Sequence, residues 1–154
     1  MENLVNELMN VSTPTLILTV GLPCSGKTTW AKEFARIRGA SVVNPDAVRL
    51  GMYGKPFLEF MEDYVWAHVK TQIRANFIYG NKLVILDATN VSRKLRDTWV
   101  SENYVTLYKY FDTPKSICRD RAIRNHRNDL LPVIDRMANS LEPLDYIERK
   151  YAIE

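Results

Sequence analysis

The sequence predicts a three-layer α/β fold, a central parallel sheet with helices on both faces, on three observations. Short apolar, β-prone runs alternate with segments of helical spacing. One of those runs, KLVILD at 82–87, is apolar almost without interruption, as suits a parallel strand covered on both faces. The chain has 154 residues with 46% apolar side chains, enough for one substantial core and too few to suggest two, so a single domain over 1–154 is expected.

The elements follow in order. TLILTV at 15–20 ends on a glycine and reads as a buried strand, and TWAKEFARIR at 29–38 reads as helix stopped by Gly39. ASVVN at 40–44 is a second short strand. Apolar residues at 57, 60, 61, 64, 65, 69, 73 and 77 keep helical spacing up to Gly80, which predicts one long helix or a split one. KLVILD is the third strand, and Ser92 caps a helix running to about Glu102. YVTLYKYF at 104–111 is the fourth strand, followed by Thr113 as cap and Pro114 in the first turn of another helix. Pro132 opens a helix to about Leu141, and DYIERKYAIE at the end of the chain reads as helix. Residues 1–13 form an extension in which LVNELM reads either as a short amphipathic helix or as a tail.

No apolar run approaches the roughly 20 residues of a bilayer span, and no basic segment precedes an apolar stretch at the N-terminus, so a protein without membrane contact in the cytoplasm is expected. Cys24 and Cys118 have neither disulfide-framework nor zinc-ligand spacing. Net charge is +3 but unevenly spread: 9 basic and 8 acidic side chains over 1–87, 9 and 4 over 88–127, 3 and 6 over 128–154. The basic middle stretch reads either as an attractor for a phosphate-bearing partner or as a solvated helix face.

Chemistry concentrates at the strand ends, where open parallel sheets bind their ligands. GLPCSGKT, from Gly21 to Thr28, matches G-x-x-x-x-G-K-[ST] between a strand and a helix, the context in which backbone N–H groups cradle phosphate. Gly21 and Gly26 permit the tight loop, and Pro23, Cys24, Ser25 and Thr29 complete its lining. Lys27 is expected to bridge the β- and γ-phosphates of ATP, GTP or another nucleoside triphosphate, with the Thr28 hydroxyl ligating Mg2+. Asp87 ends the third strand where a carboxylate would help hold that magnesium. No second acid follows it to activate water, which disfavours a motor ATPase. At the second strand end, Asp46 is placed to act as base toward an acceptor hydroxyl, and Arg49, three residues on, to bind an anionic group beside it; the simpler reading is a helix cap with an i,i+3 ion pair. Arg121, Arg124 and Arg127 recur every third residue as a stripe able to close over a triphosphate as a lid.

Together GLPCSGKTTWAKEF, NPDAVR, LDATN, YFDTP and the arginine-rich segment ending near LLPVIDRM resemble the 5′-hydroxyl polynucleotide kinases, especially the kinase half of phage polynucleotide kinase/phosphatase, over about residues 15–140. The resemblance implies a P-loop kinase fold with an arginine-bearing helical lid, ATP and Mg2+ as cofactors, 5′-OH ends of DNA or RNA as partners, and a place in nucleic acid repair. It implies Lys27 and Thr28 as phosphate and magnesium ligands, Asp46 as base, Arg49 on the substrate's 3′-side phosphate, Asn90 near acceptor or metal, and Arg124 or Arg127 as the lid arginine. The sequence departs from that family at Pro45, where arginine is frequent, and it carries no DxDGT phosphatase motif, so kinase activity alone is expected. Two other readings stand beside this one, a small-molecule kinase for a sugar, nucleoside or nucleotide-sugar, and a regulatory module that binds ATP without transferring phosphate.

Overall fold

Four parallel strands, β1 (Thr15–Val20), β2 (Ser41–Val43), β3 (Leu83–Leu86) and β4 (Val105–Tyr110), pair in the order β2-β3-β1-β4. They belong to a computed structural model that describes residues 2–10, 12–54 and 57–154. β1 is central and buried along its whole length, Leu16 lying opposite Val84 on one side and Thr106 on the other. The chain leaves β1, skips past β3 to place β2 at the edge, and returns. That reversal opens a crevice at the carboxyl ends of β1 and β3.

The helices are α1 (Glu2–Asn10), α2 (Lys27–Arg38), α3 (Pro45–Tyr53), α4 (Glu62–Ile78), α5 (Arg93–Asp97), α6 (Lys115–Arg124), α7 (Leu131–Ser140) and α8 (Tyr146–Arg149). Strand alternation sorts the apolar side chains into two layers. Leu16, Leu18, Val20, Val84 and Leu86 pack with Val65, Val69 and Ile73 of α4, Val48 of α3, and Trp99 and Leu144. Ile17, Ile85 and Leu107 face the other way, onto Ala31 of α2 and Val5 of α1. LVNELM is therefore an amphipathic helix whose apolar side lies on the protein's own core. A third cluster, Leu22 with Cys118, Ala122 and Ile134, seats α6 and α7 against the loop after β1.

Several expected boundaries move. Of the two forms expected up to Gly80 the split one is found, a 3-10 turn at Glu59–Met61 preceding α4. Ser92 does cap α5, accepting from the Leu95 N–H at 3.2 Å, but α5 stops at Asp97 because Trp99 turns into the core. Thr113 does not cap α6; its hydroxyl donates instead to the Ser25 carbonyl at 3.0 Å, and Pro114 takes the cap position. Beyond α8 the chain extends along β4, with Ala152 bridged to Tyr108, so DYIERKYAIE is helical only over Tyr146–Arg149. Among the described residues no helix is long and apolar enough to cross a membrane.

Part of the basic middle stretch is met by acids within the fold. Arg96 is fully buried on Glu148, Arg93 bonds Asp97 and pairs with Asp145, Arg119 pairs with Asp135, and Arg127 with Asp129. All but Asp97 of these acids come from the 128–154 segment, so folding returns the acidic end of the chain onto the basic middle.

Candidate active site

Gly21 begins the phosphate loop where no side chain fits: a Cβ there would lie 2.9 Å from Ser25 Oγ and 3.0 Å from Phe111 Cβ. Gly26, at φ 104°, closes the loop in a conformation that favours glycine. No side chain caps α2, so its first-turn N–H groups point toward the loop with the positive end of the helix dipole. The Gly21 N–H donates to the Thr89 carbonyl at 3.0 Å, which ties the loop to the segment after β3. Ser25 is buried and Pro23 and Cys24 half-buried in the loop wall, while Thr28 and Thr29 lie exposed at the start of α2.

Lys27 is buried, and its ammonium donates to the Leu22 carbonyl and, at 3.4 Å, to Ser25 Oγ. Burial pulls its pKa from 10.5 down to about 8, against the attraction of the Asp87 carboxylate. Opposite, Thr28 Oγ1 donates to Asp87 Oδ2 at 2.7 Å. A hydroxyl and a carboxylate held together are hard oxygen donors of the kind Mg2+ takes. Among the described residues no group of three or more His, Cys, Asp or Glu gathers that could hold a metal. A cation at Thr28 and Asp87 would therefore complete its shell with phosphate and water oxygens, as Mg2+ commonly does.

Asn44 links this donor side to the next element, and sequence reasoning assigned it no role. Its Oδ1 accepts from the Asp46 N–H at 2.8 Å and the Ala47 N–H at 3.2 Å, capping α3, while its Nδ2 donates to Asp87 Oδ2 at 2.9 Å. Asn44 is the cap, so the Asp46 side chain is released from that task. An asparagine directly before a proline at a helix start is the signal that could have found it.

The Asp46 side chain is 72% exposed and accepts from Arg49 Nη1 at 2.7 Å. Arg49 is held more firmly from the other side: Nε and Nη2 donate to the two oxygens of Glu62 at 2.9 and 2.6 Å. Glu62 opens α4, 13 residues from Arg49, and no local pattern announces the pair. Three of the five guanidinium N–H groups are thus engaged, leaving two for an anion.

Arg121 Nη1 donates to the Cys24 carbonyl at 3.1 Å, placing this arginine of α6 on the loop. Arg124 is exposed and makes no hydrogen bond or ion pair among the described residues. Arg127 leaves the stripe, because α6 ends at Arg124, the chain turns through His126 at φ 56°, and its guanidinium pairs with Asp129 at 3.0 Å. Asn90 is buried, its Nδ2 donating to the Thr19 carbonyl at 2.9 Å, so its amide clips the segment after β3 to β1.

Parallel strands that end together on such a loop, with a Thr–Asp pair beside it, define a P-loop kinase-like domain. The chain belongs to the AAA domain family, whose sequence model matches residues 16–144. Among solved structures it is similar to a chain of a Pnkp1/Rnl/Hen1 complex, at 33% identity and a TM-score of 0.64 over 71% of this chain and 39% of that one. A chain from the Pnkp1/Rnl/Hen1 RNA repair complex matches at 25% identity and a TM-score of 0.65, over 84% of this chain and 47% of that one. The chain thus spans less than half the length of either. A gluconokinase from Sinorhizobium meliloti 1021 shares the fold, at 16% identity and a TM-score of 0.63 over 92% of this chain and 81% of that one.

The lowered pKa of Lys27 has a measurable consequence. In the free protein the ammonium loses its proton as pH rises through about 8, whereas the unfolded chain keeps it to 10.5. Between those values the unfolded state binds more protons, so Lys27 makes stability rise with pH in that window. A triphosphate bound against Lys27 would reverse the preference by holding the ammonium charged. ATP binding at pH 9 is therefore expected to take up protons and to weaken as pH rises further, read by titration calorimetry in two buffers of different ionisation heat. Lys27→Met should abolish the uptake; its persistence would assign the proton elsewhere.

Proposed function

We propose that this protein transfers the γ-phosphate of ATP to the 5′-hydroxyl of a DNA or RNA end. The observation that carries the reading is the Asp46–Arg49 pair, open to solvent on one side of the crevice and joined through Asn44 to the carboxylate that faces Thr28. Asp46 takes the hydroxyl proton as the acceptor oxygen bonds to the γ-phosphorus and the bond from that phosphorus to the β–γ bridging oxygen breaks. Arg49, fixed by Glu62, receives the phosphate on the 3′ side of the acceptor nucleotide with its remaining N–H groups. Lys27 and the loop N–H groups hold the donor phosphates; Arg121, already bonded to the loop, and Arg124, the last residue of α6, would cover them as a lid. Thr28 and Asp87 would hold Mg2+, which supplies charge neutralisation to the transferring phosphoryl group.

The RNA repair complex among the similar structures supports a polynucleotide acceptor, and the gluconokinase shares the fold alone. The test is incubation with γ-labelled ATP, Mg2+ and 5′-hydroxyl oligonucleotides of DNA and RNA. Labelled 5′ ends are expected. ATP consumption with a sugar or nucleoside panel and no end labelling would replace this reading with a small-molecule kinase, and tight ATP binding with no acceptor-stimulated turnover would replace it with a regulatory module.

A further inference from the structure

Beside the acceptor pair lies an aromatic ring that the core does not use, and two more stand exposed a few residues further along the chain. Phe57 is 58% exposed, Phe60 76% and Tyr64 65%, although each sits in or just before an ordered helical turn. Phenylalanine in water forgoes burial that would contribute about 1.5–3 kcal/mol, so two such residues and a tyrosine exposed along one short stretch of chain call for an occupant. Their place in the fold identifies it. The Arg49 guanidinium carbon lies 5.9 Å from the centre of the Phe57 ring. The same guanidinium is locked by Glu62, the first residue of α4, so the arginine, the ring and the start of α4 form one connected unit. Tyr53 steadies it further, its hydroxyl accepting from the Leu58 N–H at 3.1 Å. Phe60 lies in the 3-10 turn that leads into α4, and Tyr64 in the first turn of α4, the helix that Glu62 opens.

We propose that Phe57, Phe60 and Tyr64 form a stacking platform for the unpaired bases that follow the first nucleotide of the acceptor. This inference rests on the 5′-hydroxyl kinase reading. If Arg49 receives the phosphate joining the first and second nucleotides, the ring beside Arg49 is where the second base arrives. A single sugar or nucleoside would end before reaching it. Aromatic faces stack on any base, so the platform selects for a polymer with a frayed or single-stranded end rather than for a sequence.

The test compares two acceptors, a nucleoside 3′-monophosphate and a 5′-hydroxyl single-stranded hexanucleotide carrying 2-aminopurine as its second base. The native protein is expected to favour the hexanucleotide through KM and to quench the 2-aminopurine fluorescence on binding. The triple variant Phe57→Ala, Phe60→Ala, Tyr64→Ala should raise the hexanucleotide KM by about 5- to 150-fold, the worth of stacking one base, and lose the quench. The conservative variant Phe60→Tyr should retain both. Because all three rings stand largely in solvent, the alanines leave the cores intact, which circular dichroism checks. A triple variant with the native hexanucleotide KM and quench overturns the platform while leaving the kinase reading in place. Absence of transfer to both acceptors by the native protein overturns the kinase reading, and the platform with it.

Discussion

Asp46→Asn is expected to lower phosphoryl transfer by about 10²- to 10⁴-fold, the usual contribution of a positioned base, with ATP affinity within about twofold of the native protein. The geometry makes this a clean experiment. Asparagine has the shape of aspartate and retains a side-chain oxygen to accept from Arg49 Nη1, so the link now measuring 2.7 Å persists. The start of α3 is secured by Asn44, whose side chain accepts from the N–H groups of residues 46 and 47, so the helix does not depend on the Asp46 carboxylate. The donor site lies on other elements, the loop after β1 and the end of β3. What the substitution removes is the ability to take a proton. Single-turnover end labelling measures the loss, and nucleotide binding by calorimetry measures what remains. A variant that transfers at the native rate would return Asp46 to the plainer role of an ion-pair partner.

The parts legible in the sequence are those whose physics is local. Each strand is a short apolar run bounded by a turn residue, and the phosphate loop declares itself because two glycines, a lysine and a threonine must occupy fixed offsets for one tight turn. Asp87 and Asp46 stand out as candidates because strand ends in a parallel sheet share one edge. The rest depends on partners distant in the chain. Glu62 grips Arg49 across 13 residues, and Thr113 turns from its expected capping role to the Ser25 carbonyl across 88. The stripe of Arg121, Arg124 and Arg127 presumed a helix that continues, but α6 ends after Arg124 and releases Arg127 to Asp129. The same holds for charge: a local excess says nothing about which acids fold back upon it.

Replacing Glu148 by glutamine is expected to cost about 3–5 kcal/mol of folding stability, the usual loss when one partner of a buried ion pair is removed. Arg96 and Glu148 are 0% and 2% exposed, joined by two hydrogen bonds of 2.7 and 3.1 Å. The remaining guanidinium N–H groups donate to the carbonyls of Asn90, Val91, Glu142 and Pro143, so one side chain gathers the segment after β3 and the segment after α7. Glu148 itself completes a capping box with Asp145 at the start of α8. Removing its charge leaves a buried cation short of a partner, and against a total of about 5–15 kcal/mol for a domain of ordinary stability the loss is large. Arg96→Lys should not preserve stability, because an ammonium cannot make the two-pronged contact and reach the carbonyls on both sides. The double variant Arg96→Met, Glu148→Leu should lose less than the sum of the two single losses, since no charge is left behind, although four carbonyls still lack a donor. Urea denaturation read by circular dichroism, on these variants, the native protein and the single variants Arg96→Met and Glu148→Leu, gives the values. A Glu148→Gln protein within about 1 kcal/mol of the native one would mean that the carbonyl contacts, and not the ion pair, hold these segments together.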